Sequence, residues 1–469
     1  MDKEYDVAII GAGPGGYVAA IRSAQLGKRV LLIEKEKIGG VCMNWGCIPT
    51  KWLIHQSKLL GEIKENKNLE GPVDKITLDL KKCQENKKRC VDRLVKGIEF
   101  LLEKNKVTVI KGEARFNNPT EITINKEKAK QKVRAKKIIL ATGSRPGSLP
   151  FIKADGNEVI TSQQALETTQ VPPRLLVIGA GAIGLEIGSL FNKLGSKVTI
   201  LEILPQILPG SDEKTARALQ RELKKQGIEI WTEMKIQENF IKEGMVKVKG
   251  THLKKNSPFE FKAEKMLLAV GRKPNSEKIK KGLPELKLDK AGFVKVNEFM
   301  ETSMEDVYAI GDLTGGKLLA HKASHEGITA AENASGIQKK MDYRALPLAV
   351  FTEPEFSSVG LTEEGAREKY GDDIRIGKFP LRASGRAVTM GSSEGFVKII
   401  AHKNEKILGA HILSPYSSEM IHEVTLALRY GIKVSELGSL IHVHPTLSES
   451  IMESALNVLN KSIHILNKP

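Results

Sequence analysis

Two cysteines five residues apart, Cys42 and Cys47, sit in a glycine- and proline-marked stretch, Gly39 to Lys51, that reads GGVCMNWGCIPTK. On a regular helix they would lie about 140° apart, so a bond between them demands a local distortion that brings their Cα atoms within about 4.4–6.8 Å. Gly46 and Pro49 are residues suited to such a turn. Thiols at this spacing can form a redox pair, supply half of a metal site or simply pack in a core. Metal is the weakest of the three readings, because no second close Cys/His pair completes a four-ligand set. The chain has four cysteines in all, too few for a disulfide framework and in keeping with a reducing compartment. Cys83 and Cys90, seven residues apart on one helical face, read as packing residues. Far downstream, His444-Pro445 is followed by Glu449.

The elements that position these groups repeat along the chain. A β-branched run ends in Gly11-Ala-Gly13-Pro-Gly15-Gly16 and opens a helical pattern, and a second apolar run, Val30 to Ile33, ends on Glu34, 23 residues after Gly11. Strand, glycine turn, helix and strand-end carboxylate together form a dinucleotide fingerprint: the turn admits a pyrophosphate, the helix N-terminus favours it, and the acid accepts ribose hydroxyls. The same order recurs at Leu175 to Ile178, Gly179-Ala-Gly181-Ala-Ile-Gly184 and Val198 to Leu201, ending on Glu202, again 23 residues on. Each copy closes on a similar segment, IILATGSRP from Ile138 and MLLAVGRKP from Met266, which points to an internal duplication and two dinucleotides. Between the copies, Lys58 to Lys104 reads as largely helical, with Leu94, Ile98, Leu101 and Leu102 on its apolar side. Short strands are expected at Val107–Ile110 and Glu121–Ile124, with turn residues at Asn117, Asn118 and Pro119. Beyond Asp342 come alternating strands and turns, then helices at 417–429 and 448–459.

With 469 residues the chain needs several domains. Its net charge is 73 − 56 = +17, which raises nucleic acid or an anionic surface as partners. Basic residues alternate with acidic ones, as in Lys35-Glu36-Lys37, and aromatics make up only 5%, so no base-stacking platform is expected and the charge reads as a solvated surface. The N-terminus enters an apolar strand at once, without the basic, apolar and cleavage regions of a secretory leader, and the most apolar segment carries Glu186. A cytoplasmic protein with no membrane span is expected.

Four motifs in a fixed order, namely GGVCMNWGCIPTK, GAGAIGLE at Gly179–Glu186, AIGD at Ala309–Asp312 and HPTLSE at His444–Glu449, resemble those of the pyridine nucleotide-disulfide oxidoreductases. The likeness runs over nearly the whole chain. It implies an α/β fold with two Rossmann-like dinucleotide-binding domains of the glutathione reductase kind and a C-terminal α+β dimerisation domain. The implied divisions are an FAD-binding domain at 1–148 completed at 275–345, an NAD-binding domain at 149–274 and an interface domain at 346–469. Cys42 and Cys47 become the redox disulfide, Cys42 facing the substrate and Cys47 the flavin. FAD would be held by Gly11, Gly13, Gly16, Glu34, Lys51, Gly112, Thr142, Gly143, Asp312 and Ala320. NAD would be held by Gly179, Gly181, Gly184, Glu186, Glu202 and Gly271, with Glu186 also the charge partner of Lys51. His444 would be the acid/base, oriented by Glu449 and reaching the cysteines of the other subunit of a homodimer; no metal is implied.

Within the family the likeness is greatest to members that oxidise a protein-bound dihydrolipoamide with NAD⁺, which implies a lipoyl-bearing protein as partner. A carboxylate at Glu202 repels a 2′-phosphate and so favours NAD over NADP. No arginine stands in Ile203–Ile207 to receive one, Ala182 replaces the tyrosine usual in glutathione-reducing members, and the C-terminal cysteine pair of mercury-reducing members is absent. Trp45 departs from the motif's usual valine. The alternatives are a free-standing NADH-dependent reductase of another disulfide and a non-enzymatic basic binding protein that keeps the flavin fold.

Overall fold

The computed structural model describes residues 4–126 and 129–467. The first sheet is built on the strand Glu4–Ile10, which pairs in parallel with Val30–Glu34 on one side and Lys130–Leu140 on the other. Its residues alternate little in burial because both faces are covered: Ile9, Leu32 and Ile139 are all fully buried, as expected of parallel strands. Each such side chain stabilises the fold by roughly 1.5–3 kcal/mol, and truncation of Ile139 to alanine costs about 2–5 kcal/mol. The late strand Val307–Ala309 returns to this sheet and pairs with Ile138–Leu140. That return brings the AIGD motif beside the first glycine turn.

The second sheet is a smaller parallel one, in the order 229–231, 197–201, 174–178, 265–268, 159–160, with a three-stranded antiparallel sheet over 234–263 beside it. The two closing segments meet directly: Ser144–Pro146 and Arg272–Pro274 form a two-stranded antiparallel ribbon. The third unit is a five-stranded antiparallel sheet over 348–414, packed against the helices Ser417–Tyr430 and Glu449–Val458.

A buried charge cluster ties the second unit to the third. Asp212 caps the helix Glu213–Lys225 through Thr215 N–H and accepts from Lys398 Nζ at 2.8 Å, while Glu363 takes a second proton of that ammonium at 2.8 Å. All three side chains are almost wholly buried, so removing one leaves an uncompensated charge, at a cost of about 3–5 kcal/mol.

Three expectations about the connecting region need correction. The helical stretch from Lys58 to Lys104 is broken: one helix runs Cys47–Glu65, residues 66–79 form a loop with a short 3-10 turn, and a second helix runs Leu80–Lys104, capped by Asp79. Gly71-Pro72 and the Asp79 cap are the local reason. On the second helix Ile98 and Leu102 are buried but Leu94 and Leu101 are exposed, because the apolar positions are spread wider than the face that packs. Asn117 and Asn118 lie within the strand Glu113–Asn118, and the turn of that hairpin falls after them. Cys83 is buried and Cys90 half-buried, both as free thiols.

Candidate active site

The dithiol stretch folds as two helices, Gly40–Trp45 and Cys47–Glu65, broken at Gly46. A Cβ on Gly46 would lie 2.8 Å from the Val41 carbonyl oxygen, so the break needs glycine. Its consequence is chemical: Cys47 becomes the first residue of a 19-residue helix, where the unpaired N–H groups and the helix dipole favour a thiolate. Both cysteines are free thiols, linked to each other by a thiol–thiol hydrogen bond. That hydrogen bond, helped by Lys51 and opposed by burial, brings the Cys47 thiol down to about 7. The same hydrogen bond and burial push Cys42 well above the usual thiol range. The pair is therefore asymmetric, Cys47 being the more acidic of the two thiols.

Lys51, one turn further along the helix, donates to Glu186 Oε2 at 2.7 Å. Its ammonium also sits 4.3 Å from the centre of the Phe351 ring, and the Phe351 N–H donates to the other oxygen of Glu186 at 3.1 Å. Three distant parts of the chain thus fix one cation beside the dithiol.

Both cysteines open into a cleft of about 810 Å³. All ten residues expected to hold FAD line it: Gly11, Gly13, Gly16, Glu34, Lys51, Gly112, Thr142, Gly143, Asp312 and Ala320. Its floor is a cradle without side chains, since a Cβ on Gly16 would lie 1.8 Å from the Gly11 oxygen. The helix Pro14–Gln25 points its N-terminus into the cradle with no acid in its first turn, which suits a pyrophosphate. Glu34 ends the neighbouring strand and accepts the Ala12 N–H at 2.7 Å. The volume, the bare glycine turn and the strand-end acid fit a dinucleotide.

Sequence reasoning passed over Arg272 and Ser144. Arg272 Nε donates to Ser144 Oγ at 2.6 Å and lies 3.4 Å from Asp312 Oδ2, so the closing segments of both repeats brace the Asp312 carboxylate at the cleft wall. The duplicated segments GSRP and GRKP were the available signal.

The residues expected to hold NAD separate into two places. Glu186 lines the cleft with Lys51. Gly179, Gly181, Gly184, Glu202 and Gly271 surround the second turn, where Glu202 accepts the N–H groups of Ala180 and Leu204 at 2.7 and 3.0 Å.

His444 and Glu449 are together, Nδ1 to Oε1 2.8 Å, and the other Glu449 oxygen accepts Thr446 N–H at 2.7 Å. Burial opposes the charge on Glu449, but the Thr446 N–H and the imidazole outweigh it and hold the carboxyl below its usual range. The His444 side chain is 78% exposed, and within one chain it does not line the cleft that holds the cysteines. Ile441 and Val443 beside it are 94% and 77% exposed, an apolar edge of the kind that marks an interface.

A double glycine-turn fold with a dithiol at the mouth of its first cleft defines a class, and residues 5–327 match the pyridine nucleotide-disulphide oxidoreductase family, with 346–455 matching its dimerisation domain. The chain belongs to that family, whose members use FAD and NAD(H), and the dimerisation domain supports a homodimer. It is 44% identical to the dihydrolipoyl dehydrogenase of Thermus scotoductus over 99% of this chain and 100% of that one. It is 41% identical to the mitochondrial dihydrolipoyl dehydrogenase of Pisum sativum, covering 98% and 93%, and 41% identical to the Staphylococcus aureus enzyme, covering 99% and 98%. Among solved structures it resembles the HOCl-induced flavoprotein disulfide reductase RclA of Escherichia coli, with a TM-score of 0.85, 29% identity, and 96% and 99% of the two chains covered. Among the described residues no helix is long and apolar enough to cross a membrane, and no cluster of metal-ligating side chains occurs.

Proposed function

We propose that this chain oxidises dihydrolipoamide carried on a lipoyl-bearing protein, with reduction of NAD⁺, through the Cys42–Cys47 pair. The observation that carries the reading is the placement of the dithiol: Cys42 and Cys47 both line the dinucleotide cleft, with Cys47 at the start of a helix beside the Lys51–Glu186 pair. The full-length likeness to dihydrolipoyl dehydrogenases supplies the substrate.

In this reading His444, its Nδ1 fixed by Glu449, presents Nε2 to a substrate thiol bound against the partner subunit's disulfide and removes its proton. The substrate thiolate attacks the Cys42 sulfur, the Cys42–Cys47 bond breaks, and the electron pair leaves on Cys47. A leaving thiolate of low pKa leaves fastest, and the helix N-terminus, the Cys42 hydrogen bond and Lys51 all stabilise it there. The second substrate thiolate then displaces Cys42, which closes the substrate disulfide and leaves two reduced cysteines. Bound in the cleft, FAD supplies the two-electron chemistry that joins thiol oxidation to hydride exchange with NAD⁺. Lys51, Arg272, Asp312 and Glu34 would orient it.

A second reading, a free-standing reductase of another disulfide, is favoured by the likeness to RclA. A paired assay separates them: rapid NAD⁺ reduction by dihydrolipoamide with no NADPH oxidation by glutathione disulfide is expected. No reaction with dihydrolipoamide, while NADH still reduces the flavin, would favour the second reading. Cys47→Ser should abolish dihydrolipoamide turnover and leave FAD bound; retained turnover would remove the dithiol from the mechanism. A cytoplasmic location belongs to the same proposal.

A further inference from the structure

Lys322 and Glu326 take no part in the thiol chemistry, yet they form one of the most deeply buried ion pairs in the protein. Their side chains are 5% and 0% exposed and their charged ends lie 2.9 Å apart, one turn from each other on the helix Ala320–Ala334. Burying two charges costs several kcal/mol per ion unless their remaining hydrogen-bonding capacity is used. Here much of it is spent on a single residue.

Glu326 Oε2 accepts the Gly311 N–H at 2.7 Å, and Lys322 Nζ donates to the Gly311 carbonyl at 3.3 Å. Both polar backbone atoms of Gly311 therefore end on the same ion pair. Gly311 has φ +72°, in the left-handed region that other residues enter only with strain, and it directly precedes Asp312 at the cleft wall. Lys322 also reaches Thr314 Oγ1 at 3.3 Å, at the end of the same short turn. The other Glu326 oxygen accepts the Tyr343 hydroxyl at 2.5 Å. Tyr343 lies on the segment that leads into the dimerisation domain, and its neighbour Asp342 pairs with Arg429 on the helix Ser417–Tyr430.

Resting on the reading that Asp312 faces the flavin nucleotide, we propose that Glu326, Lys322 and Tyr343 are positioning residues that clamp the Gly311–Asp312 turn in its FAD-holding geometry. Without the clamp both polar backbone atoms of Gly311 lose their charged partners, the freely rotating glycine no longer has one fixed conformation, and the Asp312 carboxylate moves off the cleft wall. The tyrosine also ties the turn to the segment that enters the dimerisation domain.

The test is the rate of FAD release from the holoenzyme under mild chaotrope, with the melting temperature measured on the same samples. Glu326→Gln and Asp312→Ala should each release FAD at least about tenfold faster than the parent, and Tyr343→Phe about two- to fivefold faster. Asp212→Asn removes a charge from an equally buried cluster remote from the turn. It should lower the melting temperature while keeping FAD release within about twofold of the parent. A purely structural role predicts instead that release follows melting temperature in all variants, and that result would overturn the clamp. So would a parental release rate in Glu326→Gln or, if that variant fails to fold, in Tyr343→Phe. A parental rate in Asp312→Ala would overturn the assignment of Asp312 itself, a different failure.

Discussion

The two glycine turns are nearly the same object built twice. In the first, Gly11 N–H bonds to Ile33, Tyr17 N–H to Gly13 and Ala141 N–H to Ile10, at 2.8, 3.0 and 2.8 Å; in the second, Gly179 bonds to Leu201, Leu185 to Gly181 and Ala269 to Ile178 at the same three distances. Even the acids coincide, Glu34 on Ala12 N–H and Glu202 on Ala180 N–H, both at 2.7 Å. What differs is the company each turn keeps. The first is walled by the dithiol helices, the turn Ile310–Asp312 that follows the returning strand, and the start of the helix Ala320–Ala334. The second helix, Ala182–Lys193, packs against the helix that starts at Cys47 and puts Ala182 and Ile183 on the wall of that cleft, while Gly179, Gly181 and Gly184 do not line it. One motif therefore suits a retained cofactor and the other an exchanging one, and the surroundings make the distinction.

The largest test of this contrast is Gly16→Val. The new side chain meets the Gly11 carbonyl, with its Cβ only 1.8 Å away, and the expected product is a colourless protein without FAD; a yellow one would mean that the cradle is not where the flavin sits. At the equivalent position Gly184→Ala places a Cβ 2.0 Å from the Gly179 oxygen, yet FAD should remain. Dithiol should still bleach the flavin while NADH formation falls about ten- to a hundredfold, and loss of FAD here would erase the contrast between the two turns.

A smaller effect is expected at the acids. Glu202→Ala should raise the KM for NAD⁺ about tenfold and narrow the preference over NADP⁺, with FAD content unchanged; an unaltered preference would move the selectivity elsewhere. The mildest test concerns the helix shared by both turns. In the reduced enzyme, alkylation of Cys47 should rise with a midpoint near pH 7, as its lowered value requires, against about 8.5 for a free thiol. A folded-state pKa below the unfolded one stabilises the reduced fold fully above about pH 8.5, and that contribution is lost as pH falls through 7. An alkylation midpoint at the free-thiol value would show that helix, hydrogen bond and Lys51 do not act on Cys47.

Much of this could be read from the sequence because its signals are local. A glycine turn is specified by steric conflicts within about six residues, and a strand-end acid by the strand that carries it. The Cys42–Cys47 spacing announced a distorted turn, although not that Gly46 splits it into two helices and places Cys47 at a helix start. The break at 66–79 went unread because helical propensity on both sides of it is strong, and the exposure of Leu94 and Leu101 because apolar periodicity does not say which part of a wide stripe meets the core. Arg272 and Ser144 were visible only as a repeat, without a partner.

By itself the sequence determined that two glycine turns exist, which acid ends the strand beside each, where a close pair of thiols lies and that a carboxylate follows His444 at five residues. Tertiary structure decided that Lys51 meets Glu186 from 135 residues away, that Asp312 is braced by both repeats, that Cys47 starts a helix and that His444 stands exposed away from the cleft of its own chain. The reason is one of range. Turn sterics act between neighbours and are written into residue order, whereas pairing of distant charges, desolvation and the closing of a cleft depend on which surfaces packing brings together.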